Sequence, residues 1–145
     1  MYLKSLVTAV AVVPMILLAS AQAGSPGFSG WARPADTGCF QESWGGILNQ
    51  CSGAKEYYIP FHVPTSGNKS ISLYAMGPSS SANVCCTAYG MVPTSDATYR
   101  SPTRCLDAFG SFRLIDLGSV YVPSYGALYI ACSVGPGARI KVASF

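Results

Sequence analysis

The sequence predicts an all-β protein, an antiparallel β-sandwich or jelly-roll-like barrel of six to eight short strands stabilised by disulfides. Three observations lead to this prediction. Short segments of alternating apolar and polar residues recur along the chain, and turn residues separate them about every 8–15 residues. No amphipathic helical pattern of useful length is present. Six cysteines, an even number, are typical of the disulfide framework of a small exported domain.

The first 23 residues have the pattern of a cleavable signal peptide. Lys4 supplies a positive charge, the segment from Leu6 to Leu18 is almost wholly apolar, and Ala21-Gln22-Ala23 has the small-x-small pattern of a cleavage site. The apolar segment is shorter than the roughly 20 residues of a membrane-spanning helix. We therefore expect a secreted product with no membrane span after cleavage, in the periplasm, at the cell surface or in the medium.

The exported part divides into two segments with different patterns. Residues 24–54 are rich in glycine and lack periodicity, which predicts an irregular N-terminal arm with a disulfide-closed loop. Residues 55–145 form the predicted β-sandwich core. Within them, alternation predicts strands over residues 57–63, 69–76, 84–92, 112–117, 119–122, 128–134 and 139–144. Pro60 favours an edge position for the first strand, Gly118 separates the fourth from the fifth, and residues 93–108 form the longest non-periodic loop.

Strand geometry predicts the disulfide pairing. Cys85 and Cys86 are neighbours, so in a strand their side chains point to opposite faces and reach different partners. Cys86 and Cys132 both lie on the apolar faces of their strands, whereas Cys85 points towards the following loop, which contains Cys105. The predicted pairs are therefore Cys86–Cys132, Cys85–Cys105 and, as a local link, Cys39–Cys51.

Charge and composition argue against several classes of protein. Without Lys4, eight basic residues face six acidic ones, and the basic residues are scattered, so we expect no nucleic-acid partner. The chain has one histidine and no C-x-x-C motif, so we expect neither a metal nor another cofactor.

The candidates for catalysis do not form a recognisable set, and we expect no catalytic residue. His62 is the single histidine, and alternation places it opposite the apolar face of its strand, in solvent. Asp36-Thr37-Gly38 matches the aspartic-protease triplet but occurs once, where that chemistry needs two facing carboxylates. The remaining carboxylates show no spacing that indicates a glycosidase pair. They are Glu42, Glu56, Asp96, Asp107 and Asp116.

Exposed tyrosines are the most suggestive feature for function. Tyr58, Tyr74 and Tyr129 lie on the non-core faces of their strands and form a candidate binding face for a glycan or an extracellular protein. The alternative is cross-strand pairing that only stabilises the sheet. Asn68-Lys69-Ser70 is an N-glycosylation sequence in a predicted turn.

Our leading hypothesis is a non-enzymatic extracellular or cell-surface protein with a binding or structural role. One alternative is a secreted hydrolase that uses His62 or a carboxylate of the 93–108 loop. Another is a secreted inhibitor or toxin-like protein whose working surface is that same loop, tethered by Cys105.

Overall fold

A computed structural model describes residues 24–145, so the predicted signal peptide over residues 1–23 lies outside the described residues. Most of the described chain is in β-strands. They are β1 (Gly24–Pro26), β2 (Trp31–Ala32), β3 (Phe40–Ser43), β4 (Gly46–Asn49), β5 (Lys55–Phe61), β6 (Gly67–Met76), β7 (Val84–Met91), β8 (Thr98–Arg100), β9 (Arg104–Cys105), β10 (Arg113–Val122), β11 (Ala127–Val134) and β12 (Arg139–Ser144). Two 3₁₀ segments cover Gly27–Ser29 and Pro34–Cys39. Within residues 24–145, no helix has the length and apolar character needed to cross a membrane.

The strands form two antiparallel sheets packed together, and the predicted β-sandwich is confirmed. Sheet I has the strand order β10-β6-β12-β4-β3, with β1 paired to β12. Sheet II has the order β2-β5-β11-β7-β8, with β9 paired to β7. From β4 to β7 and from β9 to β12, each connection passes from one sheet to the other. Strands that are consecutive in the sequence therefore face each other across the core more often than they pair.

Alternation along the long strands builds the core between the sheets. The inward residues are almost completely buried, and the intervening residues face outwards. Sheet I contributes Ile71, Leu73, Ala75, Ile115, Leu117 and Ile140, and sheet II contributes Ile59, Val84, Ala88, Leu128, Ile130 and Val134. Burial of one Leu, Ile or Val side chain stabilises a fold by roughly 1.5–3 kcal/mol, so this layer is the main source of stability.

The N-terminal segment differs from its expected irregular form. Residues 24–54 contain β1 to β4, and these strands join the edges of both sheets. Each has at most four residues, which is too short for an alternating pattern to be recognised in the sequence. β2 pairs with Tyr57 and Tyr58 of β5, so β5 lies second from the edge. Pro60 is beyond the end of β2, on the part of β5 that β2 does not cover.

Gly118 does not separate two strands, as the sequence suggested, but forms a bulge within β10. The pairing of β10 with β6 shifts register between Asp116 and Gly118, and Gly118 has a φ of 74°. A side chain is unfavourable in this conformation, which explains the glycine. The Oδ1 atom of Asp116 accepts a hydrogen bond of 2.9 Å from the Gly118 amide and closes the bulge. The strand therefore continues to Val122.

Three disulfides connect the described residues, and they join the pairs that strand geometry predicts: Cys39–Cys51, Cys85–Cys105 and Cys86–Cys132. Cys86 and Cys132 are directly opposite in the β7–β11 pair and lie in the core. Cys85 points to the other face and holds β9, at the end of the 93–108 loop, against β7. Three disulfides indicate that the protein folds in an oxidising compartment.

Candidate functional site

Four aromatic side chains form a continuous row across the outer face of sheet II. This aromatic row crosses four adjacent strands, β2, β5, β11 and β7, and consists of Trp31, Tyr58, Tyr129 and Tyr89. The sequence neighbours of the three tyrosines are buried or small, and alternation directs the rings away from the core. Because adjacent strands lie about 4.8 Å apart, three steps across the sheet give the row a length of roughly 14 Å.

Strand register brings the four rings into contact. Trp31 is opposite Tyr58, and Tyr129 is opposite Tyr89. The ring centroids of these two pairs are 5.7 and 5.0 Å apart, with interplanar angles of 19° and 10°. Tyr58 and Tyr129, which are diagonal neighbours, have centroids 6.3 Å apart and planes tilted by 53°. Nearly parallel rings with centroids 5.0 Å apart are offset-stacked, so each ring covers only part of the other and the outward parts of Tyr89 and Tyr129 remain for contact with a ligand.

The phenolic hydroxyls of the row differ in their partners. The Tyr58 hydroxyl donates a hydrogen bond of 2.6 Å to Oε2 of Glu56. Tyr89 and Tyr129 are partly exposed, and within residues 24–145 their hydroxyls are not among the buried polar atoms that lack a partner. Burial raises the pKa of Tyr129, and the nearby phenols of Tyr89 and Tyr58 raise it further. Tyr129 is therefore a neutral hydrogen-bonding group at physiological pH.

Polar groups border one side of the row. Glu56 forms an ion pair with Arg33 in addition to its bond with Tyr58, so its charge is balanced. The hydroxyls of Thr87 and Thr103 are hydrogen-bonded to each other at 2.7 Å. Together with Tyr89, Ala131 and Ser133, these side chains line a shallow cleft of about 200 Å³. The small side chain of Ala131 leaves space between larger neighbours on adjacent strands.

Apolar groups border the other side of the row. A second cleft of about 340 Å³ is lined by Trp31, Tyr58, Pro60, Phe61, Met91, Ala127, Leu128 and Tyr129. Met91 is 41% exposed and Trp31 is 52% exposed, so a ligand can reach the apolar surface at both ends of this cleft. The row therefore separates a groove that contains several hydroxyl groups, here called the polar groove, from a more apolar one, and a ligand lying across it would meet both.

Of the three tyrosines predicted to share a binding face, Tyr58 and Tyr129 lie on one surface and Tyr74 does not. Tyr58 and Tyr129 are neighbours in the row, but Tyr74 is in β6 of sheet I, on the opposite outer face of the sandwich. There it lies opposite Leu114 of β10. β5 and β6 are consecutive in the sequence, yet their connection crosses from one sheet to the other, and alternation alone does not reveal this.

Sequence reasoning missed the other two members of the row. Tyr89 alternates with the buried Ala88 and Gly90 in a predicted strand, so the pattern contained a signal for it. Trp31 belongs to a strand of two residues, too short to give an alternating signal.

The remaining candidate residues lie apart from the aromatic row. His62 is exposed and follows the end of β5. In the 93–108 loop, Asp96 and Asp107 are exposed. Asp36 accepts a hydrogen bond of 2.8 Å from Lys55 and forms an ion pair with it. Among residues 24–145, no group of three or more His, Cys, Asp or Glu side chains is arranged to hold a metal ion.

No protein-family model and no curated protein sequence matches this chain. A functional assignment therefore depends on the chemistry of the site itself. Among the aromatic contacts of the described residues, the aromatic row is the largest set of joined rings, and it provides the basis for a proposal.

Proposed function

We propose that this protein is an exported, non-enzymatic binding protein whose aromatic row binds a glycan. The single observation that carries the proposal is the unbroken row of half-exposed rings over four neighbouring strands. Export is supported by the signal-peptide pattern of residues 1–23 and by three disulfides, which form in oxidising compartments.

Sugars are amphipathic, and the surface around the row has the same mixed character. A pyranose ring carries apolar C–H groups on its faces and hydroxyls around its rim. Aromatic side chains offer large contact area with little loss of conformational entropy, and the phenols of Tyr89 and Tyr129 add hydrogen-bonding groups. The polar groove with Thr87 and Ser133 suits hydroxyls, and the apolar groove beside Pro60 suits C–H surface. A row of roughly 14 Å is long enough to contact several consecutive sugar units.

The electrostatics of this face favour a neutral ligand and a role without catalysis. Glu56 is the carboxylate nearest to the row, and its charge is already balanced by Arg33. General acid–base hydrolysis of a glycoside needs two carboxyl groups roughly 5–9.5 Å apart across the bond that is cleaved. A single neutralised carboxylate beside the row is better suited to holding Tyr58 in position than to proton transfer.

The proposal is tested by sedimentation binding of the exported protein to insoluble cellulose, chitin, β-glucan and peptidoglycan. We expect saturable binding to at least one of them. The double variant Tyr58→Ala/Tyr129→Ala is expected to lose about tenfold or more in affinity, since buried aromatic anchors dominate such interfaces. Circular dichroism and thermal unfolding establish that the variant remains folded.

Tyr74→Ala is the matched control, because Tyr74 is 46% exposed on the outer face of the other sheet. It should bind like the unmodified protein. Equal binding by the folded double variant, or binding by none of the glycans, contradicts the proposal. Release of reducing sugar during the assay would instead support the hydrolase alternative, which His62→Ala and Asp96→Asn then test.

A further inference from the structure

A separate cleft lies at the edge of the sandwich where β2 of sheet II approaches β3 and β4 of sheet I. This edge cleft has a volume of about 350 Å³. It is lined by Phe28, Gly30, Trp31, Ala32, Thr37, Phe40, Glu42, Ile47 and Tyr57. Only Trp31 is shared with the aromatic row, so the edge cleft is a distinct surface that opens around the corner of the sheet.

Four aromatic rings form the walls of the edge cleft. Tyr57 is 4% exposed and packs against Phe40, with ring centroids 4.8 Å apart and planes tilted by 53°. Phe28, from the 3₁₀ segment after β1, is 44% exposed, and Trp31 is 52% exposed. The buried ring of Tyr57 and the half-buried ring of Phe40 thus form the inner wall, and the two exposed rings flank the entrance.

One carboxylate faces the same space. In β3, Glu42 is two residues after Phe40, so alternation directs both side chains to the same face of the strand, and both line the cleft. The ion pairs found within residues 24–145 join Arg33 to Glu56 and Lys55 to Asp36, and neither involves Glu42. Glu42 is solvent-exposed and brings to the aromatic walls a negative charge that no ion pair within residues 24–145 balances.

The Glu42 carboxylate acts on the hydroxyl of Tyr57. The pKa of Tyr57 is raised, mainly because its phenol is buried. A hydrogen bond from the Gly30 amide lowers this pKa, and the negative charge of the Glu42 carboxylate raises it. Glu42 and Tyr57 line the same cleft, and the negative charge of Glu42 acts on the Tyr57 hydroxyl at its inner wall. Tyr57 stays neutral at physiological pH.

We propose that the edge cleft binds a small organic cation, specifically a quaternary or methylated ammonium group. The faces of aromatic rings are electrically negative, so a cation within about 6 Å of their centroids is attracted, with tryptophan the strongest partner. Methylated ammonium groups suit such walls because they carry charge without requiring strong hydrogen bonds. A nearby carboxylate completes the attraction and repels anions.

Trp31 provides a direct optical reporter for this proposal. The chain has two tryptophans, and Trp44, which is 88% exposed and does not line the cleft, is replaced in a Trp44→Phe background. Titration of this protein with tetramethylammonium chloride and with choline should change Trp31 fluorescence, with Kd on the order of millimolar for so few ligand atoms. The neutral isostere of choline, 3,3-dimethylbutan-1-ol, should bind about fivefold more weakly or worse.

Variants separate a charge-dependent site from a merely apolar cavity. Glu42→Gln keeps the shape of the side chain and should raise the Kd for choline by about fivefold or more. Asp96→Asn removes an exposed carboxylate elsewhere and should leave the Kd unchanged. Equal binding of choline and its neutral isostere, no effect of Glu42→Gln, or no fluorescence response overturns the proposal. Tyr129→Ala, which affects the aromatic row alone, should retain choline binding, so the two proposed sites can fail independently.

Discussion

Asn49 offers a sharp test of how the two sheets are joined. It is completely buried at the end of β4, and its side chain makes three hydrogen bonds. Its Nδ2 donates to the carbonyl of Val134 at 2.7 Å and to the carbonyl of Gly53 at 2.9 Å, and its Oδ1 accepts from the amide of Cys51 at 3.0 Å. One amide group thus links sheet I to the end of β11 in sheet II and fixes the connection that leads to β5.

Replacement of Asn49 by alanine should therefore destabilise the protein substantially. Three hydrogen bonds at a net value of about 1 kcal/mol each give a loss of about 3 kcal/mol in the free energy of unfolding. For a domain of this size, the loss corresponds to a decrease in Tm of roughly 10 °C. Urea unfolding of the oxidised protein, followed by intrinsic fluorescence, measures the change. Asn68→Ala, at an exposed position in β6, is the control and should lie within about 0.5 kcal/mol of the unmodified protein.

Asn49→Asp adds a pH-dependent form of the same test. An ionised carboxylate at this position would be buried and would face the carbonyls of Val134 and Gly53, so the folded state should raise the pKa of the new carboxyl group above about 3.9. The folded state then binds more protons than the unfolded state above pH 4, and stability falls as the pH rises. A loss below about 1 kcal/mol for Asn49→Ala, or a stability of Asn49→Asp that does not decrease with pH, would refute this account of the junction.

The remaining predictions concern the packing of β7 and the titration of the edge cleft. In Gly90→Ala, the new Cβ would lie 2.0 Å from the carbonyl oxygen of Tyr121, so β7 and β10 must separate. Urea unfolding should show that the free energy of unfolding decreases by about 2 kcal/mol or more. Gly53→Ala, where no atom lies within 4 Å of the added Cβ, is the control, and equal stability of the two variants would contradict the expected clash. Because burial raises the pKa of Tyr57, its phenol should ionise at higher pH than that of an ordinary tyrosine. The folded state then holds this proton more tightly than the unfolded state, so the free energy of unfolding should fall as the pH rises through this pKa. The ionisation of Tyr57 is measured as the difference in absorbance at about 295 nm, where phenolate absorbs, between the protein and the Tyr57→Phe variant. Ionisation of Tyr57 at or below about pH 10 would contradict the expected rise of its pKa.

The positions of the long strands and their buried faces were predictable, because both depend on the alternation of apolar and polar residues within one segment. The segments 69–76, 84–92 and 128–134 alternate clearly, and each corresponds to a long strand with its apolar set buried. The cysteine pairing followed from the same rule, since neighbouring cysteines in one strand must face opposite sides of the sheet. Strands of two to four residues were not predictable, because so few positions give no measurable period.

The candidate sites were only partly predictable, for a different reason. Alternation identified Tyr58 and Tyr129 as outward-facing, and it would have identified Tyr89 in the same way. The contact between these rings depends on strand order and register, which place β11 between β5 and β7. The edge cleft depends on the approach of short strands from different sheets, and no local pattern around Phe40 or Glu42 indicates that they lie near Tyr57.

The sequence by itself thus determined that the chain forms a disulfide-linked β-sandwich, and which side of each long strand is buried. A period of two residues specifies inside and outside wherever one face of a strand packs on a core. The tertiary structure alone decided which outward-facing residues share a surface. Tyr58 and Tyr74 have equivalent positions in consecutive strands, but the chain crosses the sandwich between them, so Tyr58 joins the aromatic row and Tyr74 lies on the opposite face. Strand order arises from contacts between distant segments, and a pattern within one segment carries no information about it.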